Sequence, residues 1–209
     1  MKNKFVVAIG SSAGGLDPML SFFDFTPHDQ ATYIILRHIP FDYQSQLHLI
    51  LQRHSKLTIA EVVNDTLIEK DTIYMPPAST YLTIKNDRLY LQKRIERSLF
   101  PNWSVDVFLK SVAEAKGNKC IAVILSGAGS DGAKGATLVN KAGGLVIAQT
   151  PASCQHSSMP ETAIKTGIVD HILMPIEMPH VILQHVDTIL KNTNGVQNLM
   201  AAGSKKLRA

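Results

Sequence analysis

A serine, a histidine and an aspartate each follow an apolar run in this sequence. Ser12 lies in Gly10-Ser-Ser-Ala-Gly14 after Phe5-Val-Val-Ala-Ile9, and His38 follows Tyr33-Ile-Ile-Leu36 and Arg37. Asp131 lies in Ser126-Gly-Ala-Gly-Ser-Asp131-Gly132 after Ile121-Ala-Val-Ile-Leu125. These are the residue types of a nucleophile, a general base and the carboxylate that orients the base. In an open parallel α/β sheet the carboxyl ends of the strands share one edge, so distant segments can deliver side chains to one crevice. The expected chemistry is that of a serine hydrolase.

Each signal has a plainer rival. Gly10–Gly14 fits G-x-S-x-G, a sharp strand-to-helix turn that exposes a serine oxygen beneath free helix-start amides. A dinucleotide-binding loop would need glycine where Ser12 stands and an acidic end to the next strand, which instead ends in Arg37-His38. His38 is one of eight histidines, and His156 in Ser153-Cys-Gln-His-Ser-Ser158 competes with it for the role of base. Asp131 also suits the N-cap of the helix that follows it. Candidate oxyanion and substrate contacts are Ala13, Gly14, Ala128, Gly129, His156 and Met159. The pairs His48/His54 and His180/His185 lack the spacing of a helical metal pair, so no metal and no cofactor is expected.

Alternating apolar runs and helical patterns position these residues. Strands are expected at 4–9, 32–37, 58–63, 72–75, 119–125, 144–149 and 168–173, with helices around 16–24, 42–54, 102–116, 132–142, 159–166 and 177–191. The segments 80–85 and 88–92 around Asn86-Asp87 read as a hairpin at the sheet edge. The expected architecture is a three-layer α/β/α sandwich with a mostly parallel, doubly wound sheet. It forms one domain over residues 1–192, with a disordered basic tail at 193–209.

Composition narrows the function classes. The chain has 209 residues, 45% of them hydrophobic and 18% charged, as in ordinary globular domains. Part of the +4 net charge sits in Lys205, Lys206 and Arg208, and no nucleic-acid-binding motif accompanies it, so no nucleic-acid partner is expected. Two cysteines, Cys120 and Cys154, provide no disulfide framework. No apolar run reaches the roughly 20 residues of a membrane span, and the N-terminus does not read as a secretory signal. A soluble cytoplasmic protein is the expectation.

With these residues in view, the chain resembles the catalytic domain of the CheB chemotaxis methylesterases over about residues 5–185. Ile9-Gly-Ser-Ser-Ala-Gly-Gly15 resembles the family's nucleophile loop, Arg37-His-Ile-Pro40 its histidine segment, and Leu125–Ala133 its aspartate loop. Ile73-Tyr-Met-Pro-Pro77, Pro101-Asn-Trp-Ser-Val-Asp-Val107, and Met159-Pro160 with Gly167-Ile-Val-Asp170 resemble further family segments. The resemblance implies Ser12 as nucleophile, His38 as general base then acid, and Asp131 as its orienting residue. It implies hydrolysis of glutamate γ-methyl esters on the cytoplasmic helices of chemoreceptors, with glutamine deamidation as a second activity.

Ala128 stands where the family usually has Met, and Trp103 is unusual in its segment. The family's receiver domain is not expected ahead of residue 5, so the enzyme would be constitutive, or controlled by a separate regulatory protein, or an excerpt or relative of a larger fusion. The alternatives are a regulatory or binding module that keeps the fold, and an esterase for small acyl substrates.

Overall fold

Every residue of Phe5–Ser11 (β1) is buried, and its side chains alternate between two apolar layers, Phe5, Val7 and Ile9 on one face and Val6 and Ala8 on the other. A strand that is apolar on both faces belongs inside a covered sheet. The computed structural model describes residues 4–38, 45–94 and 102–206, with side chains described as far as Thr193. After β1 come α1 (Leu16–Asp24), β2 (Ala31–Arg37), α2 (Leu47–Leu51), β3 (Thr58–Glu61), β4 (Thr66–Leu67) and β5 (Thr72–Met75). The hairpin β6 (Thr80–Lys85) and β7 (Arg88–Lys93), α3 (Ser104–Lys116), β8 (Cys120–Ile124) and α4 (Ala133–Lys141) follow. The chain then forms β9 (Leu145–Gln149), α5 (Ser158–Lys165), β10 (His171–Leu173) and α6 (Met178–Lys206).

The main sheet has the order β10-β9-β8-β1-β2-β5-β3, with every pairing parallel. From β1 the chain steps outward through β2, then returns to β8 on the other side of β1 and steps outward again. This reversal opens a crevice beyond the carboxyl ends of β1 and β8, where sheets of this kind bind ligands. Met19, Phe22 and Phe23 of α1, Leu47 and Leu51 of α2, and Met178, Ile182 and Val186 of α6 cover one face. Helices α3, α4 and α5 cover the other, through Phe108, Val139 and Met159 among others. The result is the expected three-layer sandwich.

Three details depart from the sequence expectations. The hairpin forms around Asn86 and Asp87, both at positive φ (50° and 61°), as a two-residue turn of this twist requires. It does not extend the main sheet. It joins β4 in a separate antiparallel sheet of order β4-β7-β6, and Leu82, Ile84 and Leu89 bury their apolar face in the layer that holds α3. One apolar face needs only one cover, and here a helix supplies it; the sheet edge is taken by β3.

The last helix continues past 191 to Lys206. Loss of apolar periodicity at Asn192 does not end it, because Leu199, Met200, Ala201 and Ala202 favour helix. The expected helix at 42–54 is observed as Leu47–Leu51, its first part lying outside the described residues. Among the described residues no helix is long and apolar enough to cross a membrane.

Candidate active site

Strands β1 and β2 pair in register as far as Ser11 opposite Arg37. Ser12 and His38 are therefore the next residues along two neighbouring strands, at a spacing of about 4.8 Å. On the other side of β1, the Leu125 N–H donates to Gly10 O at 2.9 Å and the Ser12 N–H to Ser126 O at 3.0 Å. Ser12 is thus fixed between the ends of β2 and β8.

The chain then turns sharply, with the Gly15 N–H on Ser12 O at 3.1 Å and Gly14 at φ 69°. A Cβ on Gly14 would lie 2.6 Å from Gln155 Cβ and 3.0 Å from Ser126 Oγ, so conformation and space both require glycine. Ser12 is half-buried. Among the described residues its Oγ makes no hydrogen bond, with His38 or any other group, and the N–H groups of Ala13 and Gly14 donate to none.

His38 Nε2 lies 2.7 Å from Asp131 Oδ2, with the Asp131 side chain 3% exposed and that of His38 21%. The carboxylate also accepts the Val105 N–H on Oδ2 at 3.0 Å and the Asp106 N–H on Oδ1 at 2.8 Å. These are orphan donors of the first turn of α3, whose dipole favours a negative charge there. A carboxylate held this way accepts a hydrogen bond from the imidazole, so Nε2 is the donor in this contact.

Asp131 does not cap the helix that follows it. Asp106 does so instead, its Oδ1 accepting the Gly132 N–H at 3.0 Å and the Gly135 N–H at 2.7 Å at the start of α4. The caps are crossed: the loop aspartate serves α3, and the α3 aspartate serves α4. Burial pushes the Asp106 carboxyl up, the Gly135 amide pulls it back, and the Asp131 charge pushes it up again. Asp106 was not among the site residues expected from sequence. Its signal was an acid in a first helical turn, which reads equally well as a favourable dipole contact.

The other expected residues divide clearly. The His156 side chain is exposed, and its backbone clamps the loop after β8, with its carbonyl on the Gly127 N–H at 2.9 Å and its N–H on Ser126 Oγ at 3.1 Å. Of the two histidines weighed as base, only His38 reaches Asp131. Met159 is fully buried beneath Gly127; a Cβ there would lie 2.1 Å from Met159 Sδ and 3.0 Å from Ser12 Cβ. The Gly129 N–H is taken by Ser158 Oγ at 2.9 Å, whereas the exposed Ala128 donates its N–H to none of the described residues. Burial pushes the Cys154 thiol up to about 11 and the Cys120 thiol up to about 12, so neither is a thiolate nucleophile at neutral pH. Among the described residues no cluster of three metal-type ligands forms. A cavity of about 590 Å³ is lined by Arg37, which precedes His38, and by His48, Glu61, Pro76, Arg94 and Ser104 among others; Ser12, His38 and Asp131 do not line it.

The arrangement can do acyl-transfer chemistry: among the described residues, a serine hydroxyl and two turn amides make no hydrogen bond, and an imidazole held by a buried carboxylate follows the adjacent strand. Comparison with known proteins agrees. The sequence model of the CheB methylesterase family matches residues 7–182. A Caulobacter vibrioides protein named protein-glutamate methylesterase/protein-glutamine glutaminase 1 is 33% identical over 79% of this chain and 49% of its own length. A Leptospira interrogans protein named putative protein-glutamate methylesterase/protein-glutamine glutaminase is 31% identical over 82% of this chain and 89% of its own length. The chain spans about half the length of several such relatives, and 13% of an uncharacterized Rhodobacter capsulatus protein that it matches at 36% identity. The crystal structure of the Thermotoga maritima CheB methylesterase catalytic domain superposes with a TM-score of 0.79 at 28% identity, covering 87% of this chain and 98% of that one.

Proposed function

This chain belongs to the CheB methylesterase family, and from that premise we propose that it hydrolyses glutamate γ-methyl esters on the cytoplasmic helices of chemoreceptors, using Ser12, His38 and Asp131. Glutamine side chains in the same segments are the second substrate, losing ammonia instead of methanol. The observation that carries this reading is the 2.7 Å contact of His38 Nε2 with the buried Asp131 carboxylate, at the rim where Ser12 is the next residue on the adjacent strand.

The reaction follows from those positions. His38 Nδ1 takes the Ser12 proton as Oγ attacks the ester carbonyl carbon. Catalytic hydrogen bonds often form only with substrate in place, which fits a serine hydroxyl that makes none among the described residues. The N–H groups of Ala13 and Gly14, with that of Ala128 from the facing loop, receive the tetrahedral oxyanion. One such donor is worth on the order of 10²–10³ in turnover. His38 then protonates the departing methanol. Water, deprotonated by the same nitrogen, cleaves the acyl-enzyme and restores Ser12. Asp131 holds the ring in the tautomer that keeps Nδ1 basic and stabilises the imidazolium as it forms.

The test is methanol release from methylated receptor by wild type and Ser12→Ala. The expected loss is on the order of 10⁴-fold or more. Unchanged release overturns the assignment, and faster turnover of a chromogenic ester than of receptor favours a small-ester esterase.

A further inference from the structure

We propose that Asp106 is a positioning residue for this reaction, holding Asp131 and through it His38 by the geometry of the crossed helix caps rather than by its charge. The inference rests on the reading of Ser12, His38 and Asp131 given above. Asp131 is fixed from both sides. Its own oxygens sit on the Val105 and Asp106 amides, and the next peptide is fixed by the Gly132 N–H on Asp106 Oδ1. The Gly135 N–H on the same oxygen ties the first turn of α4 to the first turn of α3.

That junction has no slack. A Cβ on Gly135 would lie 2.5 Å from Leu109 Cβ, and one on Gly132, at φ 97°, 2.9 Å from Val105 Cγ1. Without the Asp106 acceptor, two amides at a close helix crossing lose their partner, and the loop that carries Asp131 must move to satisfy them. A displacement of about 1 Å at a reacting group can cost on the order of 10²-fold.

Asp106 does this with one oxygen. Oδ1 accepts both amides, while the buried Oδ2 has no hydrogen bond among the described residues. The charged groups facing Asp106 are Asp131, which opposes its ionisation, and Lys134, which favours it; His38 lies beyond Asp131. A neutral amide oxygen of the same reach can therefore replace the carboxylate, whereas a carboxylate on a longer stem cannot.

The experiment compares Asp106→Asn, Asp106→Glu and Asp106→Ala in the methanol-release assay, with the low-field imidazole proton of His38 followed by NMR. Asp106→Asn should keep kcat within about threefold and retain the low-field signal. Asp106→Glu and Asp106→Ala should lower kcat about tenfold or more with KM nearly unchanged, and lose or shift that signal. Equal or higher activity in Asp106→Glu than in Asp106→Asn overturns the proposal, as does a folded Asp106→Ala enzyme with full kcat. If neither of those two variants folds, Asp106→Asn decides alone: retained kcat and signal sustain the proposal, and their loss overturns it. Ser12→Ala in the same assay separates the two readings. If it is active, the triad falls; if it is silent while the Asp106 order is reversed, only this inference falls.

Discussion

Strand β2 has a buried carboxylate at each end. Near its start, Asp29 accepts the Ala31 N–H at 3.0 Å and the Tyr33 hydroxyl at 2.5 Å. Beyond its end, Asp131 accepts two amides of α3 and the ring of His38 at 2.7 Å. The two aspartates are 4% and 3% exposed, so burial does not distinguish them. Their partners do. Tyr33 is fully buried against Phe22 and Phe23, and burial first, then the Asp29 charge, pushes its hydroxyl well up. That pair ties a strand to a loop and can pass no proton to a solute. His38 stands partly open at the crevice, with its second nitrogen unclaimed by Asp131. A buried carboxylate can serve chemistry when its partner is an imidazole with a second nitrogen open to the crevice.

Exchanging the acid for its amide at both ends tests this contrast most strongly. Asp131→Asn should lower turnover on the order of 10⁴-fold, because an amide presents a donor to the ring and reverses its tautomer. Asp29→Asn should leave turnover intact and lower stability by about 1–2 kcal/mol, read from denaturant midpoints. Comparable activity losses in the two variants would break the comparison.

A smaller effect is expected at the loop that floors the crevice. Gly127→Ala puts a methyl against Met159 Sδ and 3.0 Å from Ser12 Cβ. The Met159 side chain can bend away, but the Ser12 backbone, paired with Ser126 O, cannot. Turnover should fall about 10- to 100-fold with little change in unfolding temperature. A variant with normal turnover would show that Ser12 is not held as tightly as the hydrogen bonds imply.

The smallest effect is a pH slope. Burial raises Asp29 above its ordinary value of 3.8, against the hydrogen bonds from Tyr33 and Ala31. The folded chain then keeps this proton after the unfolded chain has lost it, so stability falls as pH rises from 3.8 to the raised folded value. Subtracting the urea-midpoint profile of Asp29→Asn from that of wild type should isolate this decline. A difference that rises with pH in that window would mean the carboxylate is held ionised.

Much of this was legible in the residues themselves. The apolar runs ending at Ile9, Leu36 and Leu125 placed Ser12, His38 and Asp131 on one sheet edge, because a parallel sheet aligns its carboxyl ends. The Asn86-Asp87 turn was readable for the same reason, since few residues tolerate its backbone. What escaped reading depends on which surfaces meet. Leu82, Ile84 and Leu89 announce an apolar face but not its cover, so the hairpin's place beside α3 was hidden. Asp131 next to a helix start reads as that helix's cap, and only the close crossing of α3 and α4 exchanges the two aspartates. Met159, in the first turn of α5, is buried, and the Gly129 N–H is taken by the Ser158 hydroxyl, which only the packing of α5 against the loop after β8 reveals.

The most direct measurement is the rate at which a fluorophosphonate labels the folded protein, read by intact mass with the modified residue mapped. An armed hydroxyl predicts a single adduct on Ser12, with labelling slowed on the order of 10²–10⁴-fold by His38→Ala. Labelling of Ser12 at an undiminished rate without His38, or a folded wild type that takes up no phosphonate, would contradict it.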